Sequence, residues 1–223
     1  MLPDKPVVSN QYALMAGQDA IHRAFGVTID HTGNLAAQPG IFADDPAPIV
    51  RETAAGRELV MARWGMPSPS ADMLNRKIDP GVRTIDNIQA LHWQPWLVAG
   101  HRCLVPLTSF AEPDSENRPV WFALAGDRPL ACFAGIWARW TSLRQLREGE
   151  VTADLFGILT VHPSGDVSAI GGDVMPVILR TREECELWLS APATEALRLR
   201  RRLPDGSLRI VARRVRMDGS QDT

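Results

Sequence analysis

Residues 101–113 read HRCLVPLTSFAEP. The apolar centre, Cys103, Leu104 and Val105, predicts a buried strand, and the residues after it predict a polar turn. At the end of that turn stands Glu112, between Ala111 and Pro113. A carboxylate just past a buried strand can sit in a low-dielectric pocket with a raised pKa, as a general acid or base requires. The competing reading is an ordinary solvated loop glutamate, and these residues alone favour it.

Outward from this stretch, strand signals dominate. Residues 57–64, RELVMARW, alternate as a strand, with Leu59, Met61 and Arg63 on one face and Val60, Ala62 and Trp64 on the other. Runs at 102–106, 120–124 and 131–137, separated by turns at 114–118 and 126–129, suit antiparallel pairing. Residues 154–162, 177–179 and 208–213 add further strands, the last closing the fold. Helices are short: one over 17–25 stopped by Gly26, a kinked piece at 91–97, one opened by the capping box Thr181-Arg182-Glu183-Glu184, and one after Pro192. Residues 28–48, with Gly33, Pro39, Gly40, Pro46 and Pro48, predict a long irregular excursion, 70–83 a loop, and 141–150 a charged excursion. No βαβ rhythm, repeat or low-complexity linker is present. The pattern predicts a single α+β domain, β-rich, with a mixed or antiparallel, barrel-like sheet and short peripheral helices. Residues 1–8 are expected to be a flexible lead-in, 9–216 the domain, and 217–223 a disordered tail.

Composition bounds the function. The chain has 223 residues, 45% hydrophobic and 22% charged, enough to bury a core without staples. Three cysteines (Cys103, Cys132, Cys185), odd in number and without a CxxC pair, indicate reduced thiols and a cytoplasmic setting. The first residues lack an apolar signal core and no 18-residue apolar run occurs, so secretion and membrane partners are not expected. A net charge of −2 argues mildly against strong nucleic-acid binding. The arginines at 198, 200, 201, 202, 209, 213, 214 and 216 form a local basic surplus, best read as a solvated face. The seven tryptophans default to core use, with one or two free to stack a base at a loop edge. Phosphate-loop, dinucleotide, nucleophile-elbow and HExxH patterns are absent, and no cofactor is expected. His101 and Cys103, with Cys132 or His162, match no zinc spacing, so no metal is expected.

Several blocks together resemble one family: ARWGMPSP at 62–69, HRCLVPLTSFAEP at 101–113, PVWFAL at 119–124, FAGIWARWTS at 133–142, ILTVHPSGDVSAIGGDVMPVIL at 158–179 and LPDGSLRIVAR at 203–213. In order and spacing they are similar to the SOS response-associated peptidases, also described as abasic-site processing proteins of the DNA damage response. The resemblance implies a β-rich domain with a groove for single-stranded DNA. It also implies an N-terminal cysteine whose amine and thiol capture the aldehyde of an abasic site, and a pocket with Asn, Glu and His. The family's Cys-Asn/Gly-x-Tyr falls on Ser9, Asn10, Gln11 and Tyr12. Its pocket Asn falls on Thr84, a following basic residue on Asp86, its Glu on Glu112, its His on Gly171, and a second basic residue on Asp173. Trp64, in the ARWG block, is expected beside the substrate. The departures fall on the reactive positions. A serine hydroxyl does not ionise near neutrality as a thiol can, and glycine transfers no proton. Aspartates in place of cations repel phosphate. The expectation is therefore a catalytically degenerate, peptidase-like protein with weakened binding to abasic single-stranded DNA. The alternatives are a hydrolase or lyase using Ser9 and Glu112, or a protein-binding module on the same fold.

Overall fold

The computed structural model describes residues 11–126 and 129–218. In chain order the elements are β1 (Gln11–Leu14), α1 (Gln18–Phe25), β2 (Ile29–Asp30), β3 (Gln38–Ile41), β4 (Pro46–Thr53), β5 (Gly56–Trp64), β6 (Thr84–Ile85), β7 (Arg102–Leu107), β8 (Ser109–Pro113), β9 (Pro119–Leu124), β10 (Ala131–Leu143) and β11 (Glu150–Val161). There follow α2 (Gly165–Ser168), β12 (Met175–Pro176), β13 (Ile178–Leu179), α3 (Arg182–Ser190), α4 (Ala193–Ala196) and β14 (Leu208–Arg213). The β-rich expectation holds, with few and short helices.

Five strands close on themselves. β11 pairs with β10, β10 with β7, β7 with β4 and β4 with β5, all antiparallel. β5 then pairs in parallel with β11, through Leu155 opposite Arg63 and Phe156 opposite Trp64. The result is a mixed barrel whose ring has no free edge. A five-strand ring is tight, and glycines make room where neighbours crowd. A Cβ on Gly135 would stand 2.9 Å from Cys103 Sγ and from Val105 Cγ2, so a side chain there would force its neighbours to shift. The second sheet is antiparallel, in the order β14-β9-β8-β1-β3.

Residues 101–113 join these two sheets. β7 belongs to the barrel and β8 to the second sheet, with Thr108 as the corner. The Thr108 N–H and hydroxyl both donate to Ala13 O, and the hydroxyl accepts from Met15 N–H. The expected polar turn after Val105 is thus a second strand. Ser109 and Glu112 mimic a turn in sequence, but both are buried within the strand, with Phe110 and Ala111.

Other expectations are corrected in the same sense. Residues 28–48 hold β2, β3 and the start of β4 rather than an irregular excursion. Pro46 and Pro48 disguise β4, yet β7 pairs only with Val50 and Arg51, beyond the prolines, so the missing N–H groups are not needed. The charged excursion holds at 144–149, the turn of the β10–β11 hairpin, while its ends are strand, paired out to Leu143 opposite Glu150. The α3 capping box forms at Thr181, whose hydroxyl accepts from Glu184 N–H, while Glu184 reaches back to Arg180 N–H. α3 locks onto the barrel through buried Trp188, whose Nε1–H lies 3.0 Å from Cys103 O and 3.2 Å from Gly135 O. The segment after β14 crosses the second sheet: Trp121 Nε1–H donates to Val215 O, and Ser109 Oγ donates to buried Asp218 at 2.7 Å. Asp218, placed by sequence in a disordered tail, is therefore buried, while Met217 beside it is exposed. Residues 219–223 and the lead-in 1–8 lie outside the described residues.

Candidate functional site

A small pocket, with a cavity volume of about 20 Å³, opens where the two sheets meet. β1 supplies Gln11 and Tyr12, and β8 supplies Phe110, Ala111 and Glu112. From the barrel side come Trp64 at the end of β5, Phe133 of β10, and Ile158 and Thr160 of β11, joined by Thr84 of β6 and Pro176 of β12. Ile158 and Thr160 reach one wall because strand side chains alternate. Four of the residues singled out in the sequence, Tyr12, Trp64, Thr84 and Glu112, therefore lie in one place.

Glu112 is 7% exposed. Burial pushes its carboxyl up from the ordinary 4.5 to about 8. It is thus chiefly a neutral acid at neutral pH, able to donate a hydrogen bond or release a proton. Tyr12 stands edge-on to Trp64 and to Phe133, with ring centroids 5.1 and 5.5 Å away. Its hydroxyl is buried without a partner among the described residues. Burial, then the nearby Cys103 and Asp45, holds the phenol well above its usual pKa. Trp64 is oriented by its Nε1–H on Arg83 O at 3.1 Å and by stacking on Phe156.

A second hollow adjoins the first. Thr160 lines both, and the neighbour is bounded by Asp86, Val161, His162, Asp173, Val174 and Arg200. Asp86 and Asp173, expected beside the substrate, therefore sit at this adjoining hollow rather than in the Glu112 pocket. Arg200 is only half exposed: its Nε–H donates to Thr160 O at 2.8 Å and its Nη2 to Asp86 O. It is a strut between β11 and the chain after β6, not part of a solvated helix face. Arg201 pairs with Glu184, and the Arg216 guanidinium lies over the Phe42 ring.

Gly171 lines neither hollow. It has φ +91° and packs beside Ser115 in the turn after Glu112, whose N–H donates to Ile170 O. A side chain here meets a backbone conformation that L residues rarely adopt. Ser9 and Asn10 lie outside the described residues. Cys103, Cys132 and Cys185 are all buried, and none lines the pocket. Burial raises the Cys103 and Cys132 thiols well above their usual range. His101 is turned to Trp137 O while Cys103 faces Gly135, so this pair does not converge. Among the described residues no group of three His, Cys, Asp or Glu is placed to hold a metal ion.

Most tryptophans are core, as expected. Trp140 is the exception at 45% exposed; it stands perpendicular to Trp96, 6.1 Å away, in a wide surface hollow with His92 and Lys77. Sequence reasoning missed Phe110, Phe133, Ile158, Thr160 and Pro176, and weighed His162 only as a metal ligand and Arg200 only as part of a basic face. The alternation of Ile158 and Thr160 was a usable signal; the placement of His162 and Arg200 depends on distant strands.

The fold recurs in solved structures. A protein from Bacteroides thetaiotaomicron is 21% identical, with TM-score 0.68 and coverage of 91% of each chain. One from Bordetella bronchiseptica is 20% identical, with TM-score 0.65, covering 90% of this chain and 97% of that one. A phage-related protein from the same organism is 19% identical, with TM-score 0.61 and coverage of 90% and 92%. No curated protein is significantly similar in sequence. The profile described as "SOS response associated peptidase (SRAP)" matches residues 9–217, nearly the whole chain. By that match the chain belongs to the SOS response associated peptidase family.

Proposed function

We propose that this is a peptidase-like member of the family whose covalent chemistry is lost, with a preserved Glu112 pocket and weakened binding to abasic single-stranded DNA in a cytoplasmic DNA damage response. The observation that carries this reading is the chemistry of the pocket wall. It keeps a buried acid, Glu112, but no described thiol or imidazole lines it. Capture of an aldehyde as a stable sulfur ring needs a thiol, and Ser9 has a hydroxyl in its place. Gly171, where the resemblance implies a histidine, has no side chain to transfer a proton and packs beside Ser115, away from the pocket wall. Asp86 and Asp173 place negative charge beside the pocket, where phosphates would be repelled. The exposed Trp140 with Trp96 offers bases a stacking surface, which supports some residual strand binding.

The test is incubation of the unaltered protein with single-stranded DNA carrying an abasic site, followed by denaturing electrophoresis. No denaturant-resistant adduct is expected, and a robust adduct overturns the reading. A second reading, a hydrolase or lyase that pairs Ser9 with Glu112, draws on the raised pKa of Glu112. It predicts strand cleavage that Ser9→Ala abolishes.

A further inference from the structure

We propose that the Glu112 pocket and the adjoining Asp86–Asp173 hollow form one two-point site for a linear aliphatic diamine or polyamine. The proposal rests on the reading that this pocket binds a ligand without covalent capture, and it names the ligand class.

Glu112 is more than nine-tenths buried and lines the first pocket, with no described group donating to its carboxylate. Ionised, it has no cation to pair with in that wall, and burial penalises the charge. A ligand that carries its own positive charge supplies the missing partner. Aromatic side chains make up much of the remaining wall: Tyr12, Trp64, Phe110 and Phe133. Carboxylate and aromatic rings together are the lining that favours an ammonium group over a neutral or anionic one. The free space is small, so only the end of a narrow chain enters.

The second point lies along β11. Thr160 faces both hollows and His162 only the second. Two residues of strand advance roughly 7 Å, the reach of a four- or five-carbon chain. Asp86 and Asp173 are exposed there, and Arg200 offsets one of the two charges while its N–H groups are spent on the carbonyls of Thr160 and Asp86. One excess negative charge remains at this adjoining hollow to meet a second ammonium. A phosphodiester strand meets the opposite: two carboxylates at the rim.

Isothermal titration of the full chain with 1,4-diaminobutane, butylamine and 1,4-butanediol tests this. The diamine is expected to bind, butylamine several-fold more weakly, and the uncharged diol not at all. Glu112→Gln is expected to weaken the diamine by tenfold or more, as for loss of one partner of a buried charge pair. Asp173→Asn, at an exposed position that does not endanger folding, is expected to weaken it up to about fivefold, and to leave butylamine unchanged. Equal binding of diamine and diol, absence of diamine binding, or indifference to both variants overturns the proposal. None of these outcomes bears on the adduct test, so failure here leaves the non-covalent reading standing, and an adduct with abasic DNA removes that reading separately.

Discussion

Replacing Glu112 by Gln should change the pH dependence of folding by a predictable amount. In the unfolded chain this carboxyl titrates near 4.5; in the folded chain burial carries it to about 8. Between those values the folded state holds a proton that the unfolded state releases. Stability therefore falls as pH rises through that window, by about 1.36 kcal/mol per pH unit. Over the full span from 4.5 to about 8 the loss approaches ~5 kcal/mol, a large share of the 5–15 kcal/mol typical of a domain. Below the unfolded value the group costs nothing, and above about 8 the loss is complete. Glutamine has nearly the same shape and no titration. Guanidinium denaturation of both proteins at pH 5, 6, 7, 8 and 9 isolates the term, because every other group titrates alike in the two. The variant should gain on the unaltered protein steadily from pH 5 to 8 and level off by pH 9. A stability difference that stays flat over this range would refute the burial argument, and with it the view of Glu112 as a neutral acid at neutral pH.

Three further substitutions probe the scaffold and the site. Gly135→Ala forces a methyl to within 2.9 Å of Cys103 Sγ and Val105 Cγ2 and should cost about 1–3 kcal/mol in chemical denaturation. Trp188→Phe removes the indole N–H shared by Cys103 O and Gly135 O and should cost about 2–4 kcal/mol, read from the denaturation midpoint. Ser109→Ala leaves buried Asp218 without its hydroxyl donor and should lower stability by about 1–3 kcal/mol. In the same protein, limited proteolysis should cut after β14 sooner than in the unaltered chain.

How far the sequence could be read depended on what each pattern encodes. Residues 208–213 and the strand at 57–64 were legible because apolar alternation and turn residues mark their ends locally. β4 was not, because Pro46 and Pro48 signal a loop and only the one-sided pairing near them makes a strand tolerable. β8 was read as a turn since Ser109 and Glu112 are polar, and their burial comes from β1 and β9 on either side. Of the site, Glu112, Thr84, Tyr12 and Trp64 were found through the blocks that mark the family, and the structure brings them to one wall. Asp86 and Asp173 were grouped with them but belong to the next hollow, and Gly171 to neither.

Residues 101–113 hold both halves of that lesson. Local chemistry determined that an apolar strand runs there and that a carboxylate follows it, since side-chain volume and polarity are properties of the chain itself. Whether that carboxylate meets water or an aromatic wall was decided only when β8 left the barrel for the second sheet. That placement depends on strands brought from far along the chain to close the ring, and burial, which sets the charge of Glu112, exists only once they have closed it.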